Sequence, residues 1–260
     1  MRTILLDGES KVGKTSVNNA IIEDLQRGHS VLLADAGAFF RRITAAVLDI
    51  LKVKNADAVP PDVLDKAVKK VLRAGTAFED EYPWGDLERE PVGKLVSVIS
   101  QRADVQAAGE LWYAETAERA LASGVDVLVL NGRNPRARLG NHDIGLCLEL
   151  LIQCDPEVAG LRAVLAKGIA KFSVAVIAKE RDAVIARRQL DRNRADNPFV
   201  EPPHVLPFVV GKSSPKQLLA DSWDAPAAEA PYTIGFDTSH VPIEVMTKNV
   251  QALAHSALEH

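Results

Sequence analysis

Short apolar runs alternate with stretches whose apolar positions recur every three to four residues. That is the pattern of a parallel sheet covered by helices. Thr3 to Asp7, Ser30 to Asp35, Val125 to Leu130, Leu146 to Ile152 and Tyr232 to Asp237 predict five strands. Between the first two, Lys14 to Arg27 carries Val17, Ile21, Ile22 and Leu25 at helical spacing and stops at Gly28. Asp62 to Leu72 repeats the signal after Pro60-Pro61, with Val63, Leu64, Ala67, Val68 and Val71 on one face. Three segments interrupt the alternation. Residues 42–100 read as mostly helical, with a loop near Tyr82-Pro83-Trp84. Residues 156–200 are densely basic, and residues 202–231, rich in Pro and Ala, read as a surface excursion.

Composition narrows the class. A chain of 260 residues accommodates one large α/β domain, and a net charge of −4 gives no pull towards nucleic acid or an anionic membrane. No run approaches the ~18 apolar residues of a membrane span. The N-terminus turns polar at Asp7, too early for a signal peptide. Cys147 and Cys154 are too few for a disulfide framework, and His29, His142, His204, His240 and His255 lack metal-ligand spacing. The expectation is a cytoplasmic protein, a monomer or homodimer, whose partner is a small molecule and neither nucleic acid nor membrane. Leu258-Glu259-His260 reads as the start of a purification tag.

The strongest chemical signal is Gly8-Glu9-Ser10-Lys11-Val12-Gly13-Lys14-Thr15, which fits G-x-x-x-x-G-K-[ST] in full between a predicted strand and a predicted helix. The two glycines let the backbone curl so that its N–H groups face phosphate oxygens, and the helix start adds its positive dipole end. Lys14 suits the β- and γ-phosphates of ATP, and the Thr15 hydroxyl suits Mg²⁺. Gly8, Ser10, Gly13 and Ser16 complete the expected cofactor site. The alternative is a chance match in a glycine-containing turn, against which the strand–turn–helix context argues.

Further residues carry a family resemblance. Asp35-Ala36-Gly37-Ala38-Phe39-Phe40-Arg41 follows the second strand, Val96-Ser97-Val98-Ile99 comes next, and Asn131-Gly132-Arg133-Asn134 follows the third strand. Arg187-Arg188-Gln189-Leu190-Asp191-Arg192-Asn193-Arg194 and a final Phe236-Asp237-Thr238-Ser239 complete the series. Taken in order with the phosphate loop, these segments resemble the cytidylate kinases. In that family the corresponding motifs are Asp-[ST]-Gly-Ala-x-Tyr-Arg, Asp-Gly-Arg-Asp and Arg-x-x-x-Asp-x-x-Arg. The resemblance implies a three-layer P-loop NTPase fold with a five-stranded parallel sheet in a single domain over 1–257. Its core would be 1–41, 101–155 and 196–257, its helical acceptor-binding insertion 42–100, and its lid 155–195. It implies that Arg41, Arg133 and Arg194, with Arg187 beside them, hold the acceptor's phosphate. Asp191 would accept a hydrogen bond from the acceptor sugar, and Arg162 would be a lid arginine over the transferring group.

The departures are selective. Ala36 has no hydroxyl for a ribose, Gln106 stands where the family has a base-contacting arginine, and Asn131 and Asn134 replace the two carboxylates of Asp-Gly-Arg-Asp. Ala159 stands for a second lid arginine, and of the base-reading set only Ser97 matches. Compensating contacts, with Gln106 and Asn134 reading a base edge, would preserve transfer to CMP or dCMP. A changed acceptor, phosphorylated or phosphonate-bearing, would explain the same pattern, and so would a nucleotide-binding protein that has lost transfer. An ionised phosphate acceptor needs no strong base. Asp35 is then expected to support the metal shell beside Thr15; with an alcohol acceptor it would be the general base. Its competing role is as a helix N-cap.

Overall fold

The computed structural model describes the chain except residues 10, 54–58, 76–81, 83–86, 88–89, 140–143, 169–171, 194–197, 225–230 and 260. It is a mixed α/β fold around a parallel sheet flanked by helices, and it separates into two compact units. The first comprises Met1–Ala34 and Ala117–His260, the second Asp35–Thr116.

The apolar runs of the first unit form the strands β1 (Arg2–Asp7), β2 (Val31–Asp35), β3 (Val127–Asn131), β4 (Leu146–Gln153), β5 (Val205–Phe208) and β6 (Thr233–Asp237). Their order is β2-β3-β1-β4-β6-β5, with β1 parallel to both β3 and β4. A central parallel strand is covered on both faces, which is why β1 and β3 read as near-continuous hydrophobic runs. Ile4 and Leu6 of β1, Leu148, Leu150 and Ile152 of β4, and Ile234 and Phe236 of β6 share one core. Packed into it are Val17, Ile21 and Leu25 of α1 (Lys14–Leu25) and Val250, Leu253 and Ala257 of a C-terminal helix running Ile243–Glu259. Strand alternation turns Leu5, Asp7 and Glu149 to the opposite face.

The sheet has six strands rather than the expected five. Val205–Phe208, inside the segment read as a surface excursion, pairs with β6. Its sequence Val-Leu-Pro-Phe contains a proline, which sequence rules take as a breaker. Pro207 has no N–H to donate and is tolerated because this strand is the last in the order.

The second unit is helical in its described residues. Its helices are α2 (Ala36–Leu51), α3 (Pro61–Arg73), α4 (Glu90–Ile99) and the first part of α5 (Ala103–Ser123). Phe39, Ile43 and Val47 of α2 are buried together with Val68 of α3 and Val92 and Ile99 of α4. The Phe39 and Trp112 rings stack at 5.0 Å between centroids.

Back in the first unit, α6 (Pro135–Leu139) follows β3. The basic segment folds as α7 (Pro156–Ala166), capped by Asp155 through Glu157 N–H, and α8 (Val174–Arg192). These two helices meet at Gly160, where a Cβ would lie 2.8 Å from the Arg181 backbone nitrogen. A short α9 (Pro215–Trp223) precedes β6, and the C-terminal helix is α10. Among the described residues no helix is long and apolar enough to cross a membrane.

Candidate functional site

The turn from β1 into α1 starts at the carboxyl end of a central strand. Gly8 has φ 138°, and a Cβ there would sit 2.3 Å from the carbonyl oxygen of Ile152 on β4, so any side chain is excluded twice over. Gly13 at the N-cap of α1 is left-handed, with φ 99°, and no described side chain caps that helix. The first-turn N–H groups are therefore not satisfied by a cap, the condition under which a helix start receives an anion. Lys14 Nζ turns back onto its own loop, donating to the carbonyls of Gly8 and Glu9, the latter at 2.8 Å. Thr15 is exposed and Ser16 half-buried in the first turn.

The far side of the loop is braced by Thr238, whose hydroxyl donates to the Val12 carbonyl at 2.8 Å. Arg162 on α7 donates to Thr238 Oγ1 at 2.9 Å and to its carbonyl at 2.5 Å. The arginine expected over the transferring group thus stands beside the loop, anchored to the residue that braces it.

Helix α8 sorts its arginines into two i,i+4 sets. Arg187 and Asp191 turn towards Arg133, with Asp191 at 2.5 Å from Arg133 and 3.5 Å from Arg187. Asp191 is almost wholly buried. Burial lowers the proton affinity of the Arg133 guanidinium, and the Asp191 carboxylate opposes that shift. Arg188 and Arg192 turn towards the Gly8–Thr15 turn, where Glu9 lies 3.3 Å from Arg188 and 2.6 Å from Arg192. Arg188 also donates to the Cys154 carbonyl at 2.9 Å. Sequence reasoning passed over Arg188, Arg192 and Glu9. An acid inside the glycine-bearing turn, matched by arginines four apart on a helix, was the signal that could have found them.

Asp7 is a second acid of the site that the pattern left unassigned. It is 1% exposed, accepts the Gly8 N–H at 2.6 Å and the Asn134 N–H at 3.2 Å, and ties the loop to the end of β3. Burial pushes its carboxyl from 3.8 up to about 6, against the opposing pull of the Gly8 N–H and the Lys14 charge. Asn134 has φ 46°, and its side chain donates to the Pro198 carbonyl at 2.6 Å and accepts from Val200 N–H at 3.4 Å. Asn131 ends β3 and is buried.

The first unit therefore brings together Gly8, Gly13, Lys14, Thr15, Ser16, Asn131, Arg133, Asn134, Arg162, Arg187 and Asp191. Asp35, Arg41, Ser97 and Gln106 belong to the second. There Asp35 is the N-cap of α2, accepting the Ala38 N–H at 3.1 Å, and Arg41 lies one turn on from Gly37. Ser97 Oγ donates to the Lys94 carbonyl at 2.9 Å, and the buried Gln106 amide donates to the Ser100 carbonyl. Ser10 and Arg194, like Pro83, Trp84 and His142, lie outside the described residues. Among the described residues no three His, Cys, Asp or Glu side chains gather to hold a metal unaided. That donor set fits Mg²⁺ only in the phosphate-loop manner, where one protein hydroxyl such as Thr15 is joined by phosphate oxygens and water. No family model matches the chain, and no curated protein matches it either.

Proposed function

We propose that the protein is an ATP- and Mg²⁺-dependent phosphotransferase with a P-loop NTPase fold of cytidylate-kinase type, acting on a phosphate-bearing acceptor. The observation that carries this reading is the turn at Gly8–Thr15. It lies between a central parallel strand and a helix without a side-chain cap, with Lys14 folded over it. Arg133 and Arg187, gathered on Asp191, supply the planar donors that suit a phosphate dianion.

In this mechanism Lys14 exchanges its loop carbonyls for phosphate oxygens, and Arg162 holds the loop's second half in place through Thr238. Thr15 would hold Mg²⁺, which neutralises charge on the phosphates when bound. Arg133 and Arg187 orient the acceptor through its phosphate. That oxygen is already ionised, so positioning and charge neutralisation carry the rate and no general base is assigned. Asp35 keeps its capping role in α2.

A second reading concerns the acceptor. The amides of Gln106 and Asn134, expected to read a base edge, are committed to Ser100 and to Pro198 with Val200. That favours a non-nucleotide phosphorylated or phosphonate acceptor over CMP. An ADP-release assay with ATP and Mg²⁺ against CMP, dCMP, UMP, AMP and GMP separates the two. Turnover with CMP or dCMP supports the cytidylate-kinase reading; ATP binding with silence on all five means that the phosphate grip serves a different acceptor or none. Lys14→Ala is expected to abolish transfer and weaken ATP binding at least tenfold, and unchanged ATP binding would overturn the donor-site assignment.

A further inference from the structure

On the sheet face opposite the main core, a cavity of about 560 Å³ opens between β4, β6, α6 and residues 198–204. Its volume lies in the range of small-molecule sites. The floor is polar and deeply buried: Glu149 is 3% exposed in the middle of Leu-Cys-Leu-Glu-Leu-Leu-Ile, and Thr233 and Asp7 stand on neighbouring strands. The walls are apolar, made by Pro198, Val200, Pro202 and Pro203, with the His204 and Tyr232 rings 4.9 Å apart at the rim.

An acid in the middle of a central strand needs a reason. Replacing Glu149 by leucine would continue the run and fill the floor, and burying a carboxylate carries a penalty of several kcal/mol unless it is paired. The pairing here is one-sided. Arg136 at 3.3 Å and the Thr233 hydroxyl at 3.0 Å both contact Oε2. Oε1 has no hydrogen-bond partner among the described residues, though its residue lines the cavity. Arg136 itself is drawn aside to the Pro231 carbonyl at 2.9 Å. The floor then carries the carboxyl groups of Asp7 and Glu149 against the single lining arginine, while Glu201 at the wall is paired with Arg192 at 3.0 Å.

We propose that this cavity binds a small organic cation, an ammonium or amidinium group on an aromatic body. The charged head donates to Glu149 Oε1, and the ring lies between the proline wall and Tyr232. An anion would face Asp7 and Glu149 on the floor, and a neutral hydrocarbon would cover Glu149 Oε1 without giving it a partner. The site adjoins the Gly8–Thr15 turn through Asp7 and through Glu201, whose partner Arg192 also pairs with Glu9, and its occupation does not depend on phosphotransfer.

The test is calorimetric titration of the full chain at pH 7.5 with benzamidine and phenethylamine, using benzoate and benzamide as controls. A charge-assisted hydrogen bond is worth ~1.5–3 kcal/mol, so a cationic probe is expected to bind roughly tenfold or more tighter than the controls. Glu149→Gln removes that preference. Ala137→Trp, at an exposed position of α6 lining the cavity, blocks all probes and keeps the test intact should Glu149→Gln fail to fold. Absence of binding by both cations overturns the proposal. So does benzoate binding as tightly as benzamidine, or cation binding that survives Ala137→Trp.

Discussion

Asp7→Asn is the sharpest perturbation available, because it removes a charge without removing volume. Burial raises the Asp7 carboxyl from 3.8 to about 6, and at ~1.4 kcal/mol per unit its ionisation in the fold opposes stability by about 3 kcal/mol. The sign is fixed by linkage. A carboxyl whose folded-state value lies above its unfolded value contributes its stability at low pH and loses it as pH rises through about 6. Asparagine cannot ionise, so it escapes this loss. Its own penalty is one acceptor bond, because an amide N–H₂ must face either the Gly8 or the Asn134 N–H, about 2 kcal/mol; the attraction of the carboxylate to Lys14 is already contained in the value of about 6. The net expectation at pH 8 is a variant more stable by about 1 kcal/mol. The pH dependence is the stronger test, since the lost hydrogen bond enters equally at every pH. Integrating the two titrations, the variant's advantage should be about 1.4 kcal/mol larger at pH 8 than at pH 5. Urea denaturation of both proteins at the two pH values, followed by circular dichroism, measures it. An advantage that is flat with pH, or larger at pH 5, would refute the argument that burial governs this carboxyl.

Three further outcomes are expected. Gly160→Ala places a Cβ 2.8 Å from the Arg181 nitrogen and should lower stability by about 1–2 kcal/mol despite alanine's better helix propensity; an unchanged urea midpoint would mean that α7 and α8 separate freely. Asp191→Asn leaves the half-buried Arg133 guanidinium without its buried countercharge and should destabilise by about 1–2 kcal/mol, with Arg133→Met restoring part of the loss in the double variant. Strictly additive losses would deny the pairing. Glu9→Gln releases Arg188 and Arg192 for phosphate oxygens and should tighten ADP binding about fivefold in a fluorescence titration; weaker binding would show that Glu9 holds the loop's shape instead.

The strands at the middle of the sheet were legible because burial on both faces writes itself as unbroken apolar runs, as in Ile4-Leu5-Leu6 and Val127 to Leu130. The glycine-bearing turn after β1 was legible for another reason: close backbone approach to β4 and left-handed φ leave glycine as the residue that fits at Gly8 and Gly13. What composition concealed was β5, since Pro207 argues for a loop everywhere except on an edge. The pairing of charges was concealed more deeply. Residue type says that Arg187 and Arg188 are equivalent, whereas a helix turns consecutive residues 100° apart and sends one to Asp191 and the other to Glu9. Likewise Asn134 looks like a reader of bases until its left-handed backbone directs its amide to Pro198.

This sorting bears on how a cluster of cations holds its shape. Lys14, Arg133, Arg162, Arg187, Arg188 and Arg192 belong to one unit, and like charges at close range would repel one another and splay apart. Asp191 holds Arg133 and Arg187, Glu9 holds Arg188 and Arg192, and the loop's own carbonyls hold Lys14. Each cation is thus kept in a defined place by an internal acceptor that a phosphate oxygen resembles chemically, so arrival of a polyanion exchanges partners rather than ordering loose side chains. That lowers the entropic part of binding, and it also subtracts from affinity the energy of every internal pair broken. Glu9 stands inside the loop, where a phosphate would compete directly for Arg188 and Arg192, whereas Asp191 is buried behind Arg133 and can keep its contact while the guanidinium's remaining N–H groups turn to an acceptor. Under the proposed function the two acids therefore separate by role: Glu9 would be displaced by a nucleotide, and Asp191 would aim the arginine that receives the acceptor.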